Sequence, residues 1–137
     1  MAKSDYDFLL DALAVDEQMT VEPDPDGILT GPYGVVIDPR ETSAYANNMR
    51  IAEELGIELN RNTSTEDFAR VARGLIQQHD NVLRDQVPNY DQLSNINKYV
   101  LIDTRHNTGQ VYKGLAKDLL AYQENLTEKN SRACVQD

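Results

Sequence analysis

Apolar residues recur at helical spacing from about residue 5 to 16, where Tyr6, Leu9, Leu10 and Leu13 share a side and Phe8 and Ala12 lie beside them. The spacing predicts a helix that is apolar over more than one stripe, as in helices buried on two sides. The pattern then changes. Pro25-Asp26-Gly27 is a turn sequence, because Pro presets φ, Asp can bond its own backbone and Gly accepts positive φ. Short extended pieces flank it, and a β-branched run, Val35-Val36-Ile37, follows Gly34. A sheet of two or three short strands is expected between residues 20 and 38, with Pro23 and Pro25 at an edge or in the turn.

From Pro39 the helical period returns. Residues 41 to 55 carry Tyr45, Met49, Ala52 and Leu55, with Gly56 as a stop. Thr63 and Glu66 have the spacing of a capping box. The helix they are expected to open puts Phe68, Val71, Ala72, Leu75 and Ile76 on one face, before Pro88 interrupts. Asp91 is expected to begin a helix through Leu93, Ile96, Val100 and Leu101, ended by Asn107-Thr108-Gly109. A last helix carries Val111, Leu115, Leu119 and Tyr122, and the polar tail after Asn125 is expected to fray. These late helices should cover roughly residues 91 to 106 and 109 to 124. Strands confined to residues 20–38 of a mostly helical chain give an α+β class. Leu9, Leu13, Phe68, Leu75, Ile96, Val100 and Leu115 are the expected core.

The length, 137 residues, fits one domain, with no internal repeat or low-complexity linker. With no Trp and two Phe, the core must be filled by aliphatic residues and by seven Tyr. The apolar runs are too short for a bilayer, and Met1-Ala2-Lys3-Ser4-Asp5-Tyr6-Asp7 is not a secretory signal, so a cytoplasmic product is expected. The single cysteine, Cys134, excludes an internal disulfide and a thiolate metal cluster. A net charge of −10 argues against nucleic-acid and membrane partners. The spacing of the histidines gives no metal site, and no cofactor is expected. His79 is expected to be solvated near a helix end.

Glu17 ends the first helix, and Asp24 and Thr30 bracket the hairpin turn. Two carboxyl groups across a cleft suit glycoside hydrolysis, in which one donates a proton to the leaving oxygen and the other stays ionised. Taken alone the pair is a weak signal, since in a chain with 23 acids two near a turn are ordinarily surface charges.

Here the chain resembles the phage-type lysozymes. The matching residues are Val15-Asp16-Glu17, then Asp24-Pro25-Asp26-Gly27-Ile28-Leu29-Thr30, then Gly34. Further on, Thr63 to Leu75, Val87-Pro88-Asn89-Tyr90-Asp91-Gln92-Leu93 and Asn107-Thr108-Gly109 are similar to the family's helix before the central helix, to the entry of that helix and to its end. The resemblance spans residues 5 to about 120. It implies a single lysozyme-like domain over 1–137. Residues 18–60 would form the hairpin lobe, and residues 5–17 and 61–137 the helical lobe.

By that resemblance Glu17 would be the general acid, Asp24 the carboxylate across the cleft and Thr30 the hydroxyl that holds the attacking water. Tyr33 and His106 would be the candidate substrate contacts; for His106 the alternative is a polar residue at a helix end. The expected carboxyl separation is roughly 6.5–9.5 Å, that of an inverting enzyme. The implied substrate is the β-1,4 bond between N-acetylmuramic acid and N-acetylglucosamine in peptidoglycan glycan strands.

The chain also departs from the pattern. Six residues separate Glu17 from Asp24, two fewer than in the family; Asp26 restores that spacing but shortens the next, so the second carboxylate stays open between Asp24 and Asp26. The glycine segment reads Thr30-Gly31-Pro32-Tyr33-Gly34-Val35 and lacks the family's His. The C-terminal helices are shortened, and Arg132 is only a candidate stand-in for the Arg that pairs with the catalytic Glu. Two functions remain open. One is a muramidase, delivered as an endolysin from the host cytoplasm to the periplasm or carried in a phage particle. The other is a catalytically degenerate lysozyme-like structural protein among other virion or tail proteins.

Overall fold

The structure is a computed structural model. It describes residues 3–16, 19–111 and 113–136; the side chains of 3–4, 15–16, 113 and 127–136 lie outside the description. The described chain is mostly helical with one small antiparallel sheet. Its elements are α1 (Lys3–Asp16), β1 (Glu22–Pro23), β2 (Leu29–Thr30), α2 (Thr42–Glu54), α3 (Thr65–Gln86), α4 (Asn95–Thr108) and α5 (Lys113–Gln136), with 3-10 turns at Pro32–Gly34 and Tyr90–Gln92. Among the described residues no strand falls after residue 38, and no helix is long and apolar enough to cross a membrane. The chain forms two compact units, Met1–Gln78 and His79–Asp137.

In the first unit, α1 buries Leu9, Leu10 and Leu13 at the expected spacing and leaves Phe8 exposed. Glu22 pairs with Thr30 and Pro23 with Leu29, and a single bridge joins Thr30 to Val36. Gly27 sits at φ 81, the left-handed region that a Cβ would strain. α2 ends at Glu54, and Gly56 two residues on, at φ 71, is the stop its sequence implies. Its Asn48 is buried and donates from Nδ2 to the Val36 carbonyl at 2.9 Å, which anchors the segment after the hairpin. Asn47 and Gln78 exchange amide hydrogen bonds of 2.7 and 3.0 Å between α2 and α3. Phe68, Val71, Ala72, Leu75 and Ile76 are all buried on one face of α3. Gly31 lies against Phe68, and a Cβ built on it would stand 2.4 Å from the ring.

The start of α3 differs from expectation by one residue. Ser64, not Thr63, supplies the cap: its Oγ accepts from Asp67 N at 3.2 Å. The Thr63 hydroxyl instead donates to the Glu58 carbonyl and accepts from Asn60 N, which folds the preceding loop.

The second unit is built around a buried polar group. Asp80, on α3, has no exposed surface. The Tyr90 hydroxyl donates to its Oδ1 at 2.6 Å, and Arg84 Nη2 reaches its Oδ2 at 3.3 Å. Arg84 also bonds Asp91 at 3.1 Å, and both Arg84 and Lys98 lie over the Tyr90 ring, 5.7 and 5.3 Å from its centroid. The network joins α3, the Tyr90 turn and α4, and it satisfies a carboxylate that burial would otherwise penalise. Tyr90→Phe keeps the ring and removes the shortest of these bonds. It should cost about 1.5–3 kcal/mol in urea denaturation, the range for a hydrogen bond to a charged group. An unchanged midpoint would mean that the remaining partners of Asp80 satisfy it without the Tyr90 hydroxyl.

α4 starts at Asn95, after a 3-10 turn, and not at Asp91; Ser94 Oγ caps it by accepting from Asn97 N at 3.3 Å. Its buried face is Lys98, Leu101 and Ile102. The core expectation for Ile96 and Val100 is therefore overturned, since they are 71% and 40% exposed. Leu115 is half-buried, and Ala116 is the buried residue of that turn. Gln123 of α5 accepts from Ser94 N at 2.7 Å and donates to the Gln92 carbonyl at 3.0 Å, which pins α5 to the entry of α4. The backbone of α5 stays helical to Gln136, past the point where the sequence pattern placed fraying.

Candidate functional site

The hairpin turn owes its shape to Asp24. Its Oδ1 accepts from the amides of Asp26 and Ile28, both at 2.9 Å. Its backbone closes the same turn, with Gly27 N donating to Asp24 O at 2.9 Å and Asp24 N donating to Ile28 O at 2.8 Å. At the other end, Thr30 is buried and its hydroxyl donates to the Ile28 carbonyl at 3.0 Å. Asp24 and Thr30, which the sequence places six positions apart, thus lean on one residue, Ile28. Asp26 is exposed on the turn.

Asp38 and Arg40 also hold the turn, and neither was singled out from the sequence. Asp38 is buried and its carboxylate accepts from Leu29 N at 3.0 Å and from Arg40 N at 3.0 Å. Arg40 donates to the same carboxylate from Nε at 3.0 and 3.1 Å and from Nη2 at 2.6 Å. Nη2 also reaches the Gly27 carbonyl at 2.6 Å. The Arg40 side-chain hydrogen bonds, followed by the Leu29 and Arg40 amides, hold the Asp38 carboxyl well below the usual carboxylate range. An Asp-x-Arg pair after a β-branched run is the only signal the sequence offers for this clamp.

Tyr33 is half-buried in the 3-10 turn with a left-handed backbone, φ 62. Glu17 lies outside the described residues, as does the side chain of Arg132. The described site therefore consists of Asp24, Thr30 and Tyr33 in the first unit. His106 belongs to the second unit and is half-buried on α4, with its Nδ1 3.4 Å from Nε2 of His79 and the two rings edge to face. The expectation that His79 is solvated is overturned. Its Nδ1 is buried with no hydrogen-bond partner among the described residues, and burial, reinforced by His106 and Arg105, pushes its pKa down from 6.5 to about 3.

Cavities of about 320 Å³ occur within each unit, one lined by Leu10, Leu55, Ala69, Arg70 and Arg73 and the other by Leu83, Gln86, Val87 and Val111. Neither is lined by Asp24, Thr30, Tyr33 or His106. Among the described residues no three His, Cys, Asp or Glu side chains gather as a metal site would need. Comparison of the chain with protein-family models, with curated proteins and with solved structures gave no match.

Proposed function

We propose that the chain is a lysozyme-like muramidase domain that hydrolyses the β-1,4 bond between N-acetylmuramic acid and N-acetylglucosamine. The observation that carries this reading is the hairpin turn, in which Asp24 and Thr30 are held through the same residue, Ile28. In the proposed reaction Glu17 protonates the glycosidic oxygen and Asp24 faces the developing positive charge on the sugar. The Thr30 hydroxyl already gives its proton to Ile28, so it meets a water as an acceptor and turns that water's lone pair toward the sugar, and the Asp24 carboxylate takes the proton the water releases as the C–O bond forms. The anomeric centre inverts. The order of helix, small hairpin and helices supports the same reading. The protein would act as an endolysin or from within a phage particle, with glycan strands as its partner.

One observation favours a second reading. Asp24 closes its own turn by accepting two amides, and this structural work needs no chemistry to explain it. A lysozyme-like virion or tail component that no longer cleaves glycan would keep that turn.

The deciding experiment is release of soluble fragments from purified peptidoglycan by wild type, Glu17→Gln and Thr30→Ala. The amide in Glu17→Gln keeps the shape and loses the transferable proton, so turnover should vanish while the protein stays folded. Thr30→Ala should slow the reaction less. A chain of net charge −10 meeting an anionic wall is repelled least when screened, so wild-type activity should rise from low to moderate salt. Equal inertness of wild type and Glu17→Gln across pH and salt would establish the virion reading.

A further inference from the structure

We propose that Asp38 and Arg40 are positioning residues that set the placement of Asp24 and Thr30 for the reaction; the inference rests on the muramidase reading of that turn. The clamp touches the turn at two points, the Gly27 carbonyl through Arg40 Nη2 at 2.6 Å and the Leu29 amide through Asp38 Oδ2 at 3.0 Å. These points flank Ile28. Ile28 is the residue whose amide donates to Asp24 Oδ1 and whose carbonyl accepts from Thr30 Oγ1. Any movement of Ile28 is therefore passed to both side chains, and the clamp fixes it from both sides.

Backbone pairing with the following segment does not do this work. The bonds Ile37 N to Leu29 O at 3.1 Å and Gly31 N to Val35 O at 2.8 Å join the hairpin to the following segment, and neither reaches residues 24 to 28. The clamp does reach them, with a buried carboxylate and a guanidinium whose planar fork serves two acceptors at once. Lysine can supply the charge but not the fork.

Removing Arg40, itself largely exposed, leaves the buried Asp38 carboxylate to the Leu29 and Arg40 amides, so some loss of stability accompanies the shift of the turn and the thermal midpoints separate the two effects. A misplacement of roughly 1 Å at a reacting centre can cost on the order of 10²-fold in rate.

The test measures kcat and KM on solubilised glycan strands, together with thermal midpoints, for wild type, Arg40→Ala, Arg40→Lys and Asp38→Asn. The expected result is a kcat for Arg40→Ala lowered by on the order of 10- to 100-fold. KM should stay unchanged, since the loss is confined to the transition state. Arg40→Lys should recover part of kcat, and all variants should be folded at the assay temperature. Asp38→Asn covers the case in which one arginine variant fails to fold. An active wild type whose Arg40→Ala and Asp38→Asn variants keep full kcat would overturn the inference, and so would a loss that tracks only the unfolded fraction. A wild type as inert as Glu17→Gln would overturn the muramidase reading itself, and the positioning role with it.

Discussion

Replacing Phe68 with alanine should destabilise the protein by roughly 3–5 kcal/mol, the range for emptying a buried aromatic site. Phe68 has no exposed surface, and its ring fills the space that a side chain at residue 31 would occupy. An ideal Cβ on Gly31 falls 2.4 Å from Cε1 and 2.6 Å from Cζ of that ring. The converse substitution, Gly31→Ala, should therefore cost about 1–3 kcal/mol through overpacking. The two changes are opposite errors at one contact. Combining Gly31→Ala with Phe68→Leu should cost less than the sum of the single changes, and a double-mutant cycle by urea denaturation measures the difference. Strict additivity, or a Phe68→Ala loss of under about 1 kcal/mol, would mean that the Thr30-Gly31 segment does not rest on α3.

Acid should weaken the second unit through His79 well before the carboxylates titrate. The folded protein holds this imidazole neutral down to about pH 3, against 6.5 ordinarily, because burial disfavours the charge and His106 and Arg105 add like charge. The folded-state pKa is depressed, so between these values the unfolded chain binds a proton that the folded chain refuses. Stability is then full above pH 6.5 and falls as the pH drops toward 3, by at most about 1.4 kcal/mol per pH unit. The cause is local. A proton on Nδ1 would create a buried N–H with no acceptor among the described residues, beside Arg105. Urea midpoints from pH 7 to 4.5 should slope downward in wild type and lie flatter in His79→Leu, which cannot titrate. Parallel slopes for the two proteins would show that His79 is not the group responsible.

The legible and illegible parts of this chain divide along physical lines. α1 and α2 follow from apolar spacing because each packs a face free of charged residues, α3 because Phe68, Val71, Ala72, Leu75 and Ile76 set its face before the buried Asp80 is reached, and the hairpin follows from Pro25-Asp26-Gly27. α4 was misread because its inward face carries a lysine. Lys98 is buried over the Tyr90 ring and 3.7 Å from Asp91, so the polar residue faces inward while Ile96 and Val100 face solvent. A pattern that sorts residues by hydropathy gives such a helix the wrong face. His79 was misread for a related reason: α3 runs on to Gln86, so the residue lies inside the helix, and nothing local signals that a second histidine from another helix meets it. At the candidate site, Asp24 and Thr30 were legible because their spacing belongs to a single turn. Asp38 and Arg40 were not, because they bind each other and reach the turn at the Leu29 amide and the Gly27 carbonyl, 9 and 13 positions back, beyond the spacing of a single turn.

The smallness of the sheet bears on how the protein behaves when crowded. An unpaired strand edge is a template onto which another chain can add, and this is a route to fibrils. Here the outer strand is two residues long and offers a newcomer almost nothing. Pro23 has no amide proton to give, and Glu22 puts an exposed negative charge beside it. On the other side of Thr30 the pairing shrinks to the single bridge with Val36, and Pro32 and Pro39 interrupt the chain on either side of that bridge. The hairpin is closed to growth in both directions. Concentrated solutions of the folded protein should therefore resist seeding by strand addition at this turn, and any fibrils formed after heating should take their ordered segments from elsewhere in the chain.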